Sequence, residues 1–266
     1  APVQVEWLNY CMTTGLAAMD YIFMDDNWLV QEDEGLFSEQ VYGIGPVAAP
    51  FEAAMSIRHS GKTPALAKDY VTFGSYNYPG KITDHAIACW AAILKAVPNS
   101  RLLLRYRYFE DPITQKRFEM RFLAHGVPAE RLIFAGHVTG ADYWASFEEI
   151  DLMLDSFPFQ GGTTTLDALA AHVPVLSYEG QSHRERLTPT VLRSCGLDRL
   201  VATSHDDYVA RAISLGRNPV ELNRLRNQIG PAYETSPTRD GAGVTRRLEA
   251  AYRDVFRRWA EGSAAS

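Results

Sequence analysis

Short apolar runs recur along the chain, separated by stretches in which apolar positions return every three or four residues. The short runs predict strands over Val3–Leu8, Tyr21–Met24, Gln40–Ile44, Tyr70–Ser75, Arg101–Tyr106, Arg131–Ala135, Leu152–Asp155 and Val173–Ser177. The longer-period stretches predict helices over Thr83–Val97, Thr114–His125, Asp142–Glu149, Thr163–Ala171, Arg186–Cys195, His205–Leu215, Pro219–Gln228 and Gly243–Trp259. In the first of these, Ile87, Trp90, Ala91 and Leu94 share one face. In the last, Val244, Leu248, Ala251, Val255 and Trp259 form a stripe that predicts packing back over the domain, and over a missing neighbour.

Strands alternating with helices define an α/β protein with a Rossmann-like, doubly wound parallel sheet. Uninterrupted apolar strands suit burial on both faces. The Pro-bearing stretch from Gly45 to about Lys68 reads as a connection between two structural units. Ligands bind such sheets at the carboxyl ends of the strands, so the turns after Ser75, Ala135, Asp155 and Ser177 are the places to look for chemistry.

Composition narrows the function classes. A net charge of −6 offers no basic excess for nucleic acid. No apolar run approaches the roughly 20 residues of a membrane span. Cys11, Cys89 and Cys195 are odd in number and far apart, which suggests neither a disulfide framework nor a zinc site and makes a reducing, cytoplasmic setting the default. The opening APVQVEWLNY has no Met and runs almost directly into a strand, as a chain joined partway through a fold would; the closing EGSAAS reads as a disordered end.

Two turns carry candidate chemistry. In DSFPFQGGTTTLD (Asp155 to Asp167), Gly161 and Gly162 permit close backbone approach, and Thr163, Thr164 and Thr165 offer an N-cap and unpaired N–H groups at a helix start. With the helix dipole, these donors make an anion cradle. Taken alone, GGTTT is also an ordinary turn with a helix cap. In FGSYNYPGKI (Phe73 to Ile82), Lys81 stands at a helix start, where a cation gains nothing from the dipole unless an anion binds there. Taken alone, it is also a solvated surface lysine.

Together these segments resemble the C-terminal catalytic lobe of the O-GlcNAc transferase (SPINDLY-type) glycosyltransferases in their bacterial form. Tyr76 to Ile82 is similar to the family's aromatic-Asn, three residues, Lys-Ile pattern. WAAILKAVPNSRLLL is similar to WxxILKxVPNSxLxL, and Leu154 to Val175 to LDxFPxxGGTTTxDALxxGVPV. The opening resembles APIQVxWLGYPGTSGxxxMDYIxxD, and Gly180 to Arg186 (GQSHRER) the family's GxxxxSR region.

The resemblance implies the C-terminal lobe of a GT-B type glycosyltransferase, with residues 1–55 ending an N-terminal Rossmann-like lobe. Residues 56–266 then form the UDP-sugar-binding lobe with a C-terminal packing helix. It implies metal-independent, inverting transfer of GlcNAc or a related sugar from a UDP-sugar to Ser or Thr hydroxyls of a protein acceptor, with the rest of the first lobe and helical repeats upstream. Lys81 would contact the diphosphate and stabilise the leaving group. Gly162, Thr163 and Thr164 would hold the phosphates, Asp167 the ribose, and the Val138 backbone the uracil edge. Leu8 and Asn9 would border the sugar and acceptor side; His183, beside Arg184 and Arg186, is a candidate to face that side or the phosphates.

The departures are Tyr78 where Gln is common, Gly140 and Tyr143 where Lys and His stand near the base, Asn9 for Gly and Cys11 for Pro. Tyr143 retains a ring for stacking on uracil. The family's base histidine would precede Ala1; His137, after a strand end, is the one histidine here that tempts a catalytic reading, against that of a polar loop or cleft residue, and Asp25-Asp26 has no implied metal role. Two other readings stay open: a non-protein glycosyltransferase or sugar epimerase on the same fold, and a degenerate nucleotide-sugar-binding module.

Overall fold

In the computed structural model, residues 1–8, 12–28, 35–47, 49–52 and 60–264 are described. The expected boundary between residues 55 and 56 lies outside them, as do Asn9 and Cys11. A small parallel sheet has the order β1 (Val5–Glu6), β2 (Tyr21–Met24), β3 (Gln40–Gly43). The large sheet comprises β4 (Val71–Ser75), β5 (Ser100–Arg105), β6 (Leu132–Ala135), β7 (Leu152–Leu154), β8 (Val175–Tyr178) and β9 (Val201–Ala202). All its pairings are parallel, in the order β6-β5-β4-β7-β8-β9, which is the order of a doubly wound nucleotide-binding sheet.

Among the described residues, the sheets are accompanied by helices α1 (Asp84–Ala96), α2 (Pro112–Leu123), α3 (Gly140–Ser146), α4 (Thr163–Ala170), α5 (Leu187–Ser194), α6 (His205–Gly216), α7 (Pro219–Glu234) and α8 (Gly241–Ala264). Side chains alternate across each strand, so both sheet faces are apolar. Phe73, Leu102, Leu104, Leu152 and Leu154 join the core under α1, α2 and α6. Leu103, Met153 and Val175 join the core on the opposite face, under α4, α5 and α7. Helix starts are set locally: Thr83 caps α1 by accepting from the Ala86 N–H, and Asp111 caps α2 ahead of Pro112.

The long α8 crosses to the small sheet. Ala251 and Val255 pack on Phe23 and Ile44. Tyr42 donates to Asp254 at 3.1 Å, and Arg247 donates to the carbonyls of Ile44 (2.9 Å) and Pro46 (2.7 Å). The two sheets are thus bound to one another by the last helix as well as by the chain between them.

Four sequence expectations change. The first strand shrinks to Val5–Glu6. Helix α7 runs six residues past Gln228, through Gly230 and Pro231, because Ile229, Gly230 and Tyr233 are buried and a Cβ at Gly230 would strike the His172 ring. Tertiary contact overrides the two helix breakers. Strand β9 is two residues long, too short to show a period. The closing EGSAAS is helical through Ala264 rather than disordered at its start.

One buried chain of hydrogen bonds links α1, α6 and the end of β7. Trp90 Nε1 donates to Tyr208 Oη (3.1 Å), which donates to the Asp155 carbonyl (3.1 Å). Tyr208→Phe strips both partners of a bond in a dry core, and is expected to cost about 1–3 kcal/mol. Urea unfolding measures it; an unchanged midpoint would show that the hydroxyl contributes nothing.

Candidate active site

The large sheet reverses its winding between β4 and β7, which pair through Phe73 with Leu152 and Gly74 with Met153. The loops leaving the two strands part there, opening a crevice at the carboxyl edge. Lys81 comes from the loop after β4 and the Gly161–Gly162 turn from the loop after β7.

The second loop is built around Asp155, which is 2% exposed. Its Oδ1 accepts the N–H groups of Ser156 (3.0 Å) and Gly161 (2.8 Å), and its Oδ2 the Ser177 hydroxyl (2.7 Å). Burial raises its pKa, while these donors and the charge of Lys81 pull the other way. Gly161 has no room for a side chain, since a Cβ would stand 2.8 Å from Thr165 Oγ1 and 3.3 Å from Asp155 Oδ1. At Gly162 a Cβ would meet nothing within 4 Å; this is the open side of the turn.

Helix α4 begins at Thr163, with Gly162 as its N-cap and no side-chain cap. The cap expected from the threonines therefore falls one residue earlier. The tight turn brings the Gly162 carbonyl to the N–H groups of Thr165 (3.0 Å) and Leu166 (3.2 Å). Thr163 and Thr164 are first-turn residues whose N–H groups have no acceptor within the helix. The dipole adds positive potential at the same point.

Lys81 closes the short 3-10 turn Pro79–Lys81, just ahead of α1 rather than inside its first turn. Its Nζ donates to the Gln160 carbonyl at 3.0 Å and lies 4.1 Å from the centre of the Phe159 ring. Lys81, Gly162, Thr163 and Thr164 form one wall of a cleft of about 400 Å³. The small sheet supplies the facing wall through Trp7, Leu8, Phe23 and Asp25. The cradle and the lysine, separated by some eighty positions in sequence, thus meet across the switch point.

The remaining predicted residues lie off this wall. Asp167, 7% exposed, accepts the Tyr143 hydroxyl at 2.6 Å, and burial raises its pKa against that bond. The Tyr143 ring is half-buried and edge-on to Phe147 and Trp144. Val138 is half-buried ahead of α3, and its neighbour His137 is exposed, with its N–H bonded to Glu110 (2.8 Å). Tyr78 is exposed and edge-on to Tyr106 and Tyr108. His183 is buried with its ring against Phe37 of the small unit, and Arg186 occupies the N-cap position of α5. Asp25 accepts from Asn27 (2.9 Å) and Val47 (2.6 Å), bracing a loop. Among the described residues, no group of three or more His, Cys, Asp and Glu side chains is placed to hold a metal ion, and no helix is long and apolar enough to cross a membrane.

Sequence reasoning overlooked Trp7 and Phe159 in the cleft, and the roles of Asp155 and Gln160 beneath it. Asp155 carried a signal, an acid at the end of an apolar strand. Gln160, one amide in a polar loop, carried none.

A doubly wound parallel sheet with a cleft at its switch point defines an α/β protein of the Rossmann-like class. Residues 47–246 match the profile described as glycosyl transferase family 41, and the chain belongs to that family. It is 35% identical over 280 residues to a tomato (Solanum lycopersicum) protein named probable UDP-N-acetylglucosamine–peptide N-acetylglucosaminyltransferase SPINDLY, covering 100% of this chain and 29% of the relative. Identity to the rice (Oryza sativa subsp. japonica) SPINDLY protein is 33% over 269 residues, covering 99% of this chain and 29% of that relative. A mutant of the Thermobaculum terrenum O-GlcNAc transferase superposes with a TM-score of 0.87 at 31% identity, covering 99% of this chain and 50% of that one. The sucrose-phosphate synthase of Thermosynechococcus elongatus, at 15% identity and a TM-score of 0.58 over 91% of this chain and 60% of its own, shares the GT-B fold alone. The chain therefore spans less than a third of the length of the curated relatives it matches.

The raised pKa of Asp167 has a sign. The folded state holds the proton more tightly than the unfolded one, so stability falls as pH rises from the ordinary carboxylate value of about 4 through the raised folded value. Asp167→Asn keeps an acceptor for Tyr143 and removes the titration. Urea midpoints from pH 4 to pH 7 are expected to fall more in the wild type than in the variant; parallel profiles would contradict the assignment.

Proposed function

We propose that this chain is the donor-binding part of a UDP-sugar-dependent inverting glycosyltransferase that acts on Ser or Thr hydroxyls of proteins, with GlcNAc or a related sugar transferred. The observation that carries the reading is the meeting of the Lys81 ammonium with the open first turn of α4. A cation and two N–H groups with no acceptor within their helix, lining one cleft, suit a diphosphate. The relatives' names supply the nucleotide and the sugar.

In this reading Lys81 and the N–H groups of Thr163 and Thr164 bind the diphosphate, with Gly162 leaving room for it. The acceptor hydroxyl attacks the anomeric carbon, the bond from that carbon to the UDP oxygen breaks, and charge builds on the departing diphosphate. Donors aimed at that charge lower the barrier, by roughly 3–4 kcal/mol for one well-placed group. Asp167, oriented by Tyr143, takes the ribose, and the Val138 backbone reads the uracil edge. Tyr78 flanks the donor. Leu8 and Asn9 border the sugar and acceptor side, with His183 and Arg186 beyond them. No metal is assigned a part. We place the division between the two lobes near residue 55, with the base that activates the acceptor upstream of Ala1.

UDP titrated calorimetrically into the full-length protein is expected to bind saturably, and Lys81→Ala to weaken binding about ten- to hundredfold. A wild type that takes up no UDP would end this reading. Mass spectrometry of co-expressed acceptors then separates protein transfer, seen as a sugar added to Ser or Thr, from transfer to another class of acceptor.

A further inference from the structure

Gln160 is wholly buried at the heart of the turn between β7 and α4, where a polar side chain must be paired. Its amide bonds the segment that runs from the end of β8 to the start of α5. Nε2 donates to the carbonyls of Tyr178 and Glu185, the latter at 2.9 Å, and Oε1 accepts the Thr188 N–H at 3.0 Å. The Thr188 hydroxyl in turn donates to the Gly161 carbonyl at 2.9 Å. The main-chain carbonyl of Gln160 accepts Lys81 Nζ. One residue therefore joins the loops after β4, β7 and β8.

We infer that Gln160 is a positioning residue for the transfer reaction: its buried amide fixes the peptide whose carbonyl holds the Lys81 ammonium at the mouth of α4. The inference rests on the proposed diphosphate-binding role of Lys81. A lysine side chain carries a large rotamer entropy, and a fixed acceptor beside the cleft lowers the cost of ordering it. An ammonium has three donors, so the bond to Gln160 is compatible with donation to a phosphate oxygen. Without the amide, the Tyr178 and Glu185 carbonyls and the Thr188 N–H lose this partner, and the 160–161 peptide keeps, besides the bond from Lys81, the one from Gly161 N–H to Asp155.

A double-mutant cycle on UDP affinity in the full-length protein tests this. Gln160→Met keeps length and shape while removing the amide, and is expected to weaken UDP binding about tenfold. Added to Lys81→Ala, the same change is expected to cost less than about twofold, because the group it positions is gone. An equal loss in both backgrounds would make Gln160 a general support of the turn, and an unchanged affinity in the Gln160→Met single variant would remove its role; either overturns the inference. Should Gln160→Met fail to fold, Gln160→Asn takes its place in the cycle with the same readings. A wild type without UDP affinity would instead strike at the proposed function, and is seen before any variant is made.

Discussion

The parallel pairing of β4 with β7 is the constraint from which the cleft follows. Each strand is flanked on its other side by a strand of its own half, so the two following loops are driven apart and cannot close over one another. Into that gap the sequence places a cation from one side and a helix start from the other. Neither has a function in isolation, since a lysine gains nothing from a neighbouring helix N-terminus and an open first turn lacks an acceptor. In the proposed function, a bound diphosphate meets both.

Holding such a site open requires support beneath it. Asp155 supplies it from the strand end, and its position is fixed from below by the Trp90–Tyr208 hydrogen-bond chain and from the side by Ser177. A buried carboxylate is costly, and its raised pKa reflects that cost. The return is a turn set before any ligand arrives, with Gly161 pressed against its neighbours and Gly162 facing space. The second wall is held differently. The small sheet has a core of its own only with α8 across it, so the end of the chain helps to set the far side of the cleft.

Much of this was legible in the sequence because the signals were local. Continuous apolar strands bounded by turns placed β2 without error, and the shared face of Ile87, Trp90, Ala91 and Leu94 placed α1 to within a residue. The Gly-Gly-Thr run marked the cradle because glycine and a helix start are readable without knowing the neighbours. What stayed hidden depended on distant contact. Helix α7 passes through Gly230 and Pro231 only because its far side is buried. Tyr143 reaches Asp167 across 24 positions, and Gln160 reaches Thr188 across 28. A glutamine in a polar loop has the same appearance whether it points to water or into the core.

The central claim is that the first turn of α4, beside Lys81, is where the diphosphate lies. Backbone amide chemical shifts followed during a UDP titration test it at atomic resolution. The account predicts that the amides of Gly162, Thr163 and Thr164 move furthest and saturate together. Saturable binding that leaves those amides unmoved would contradict it.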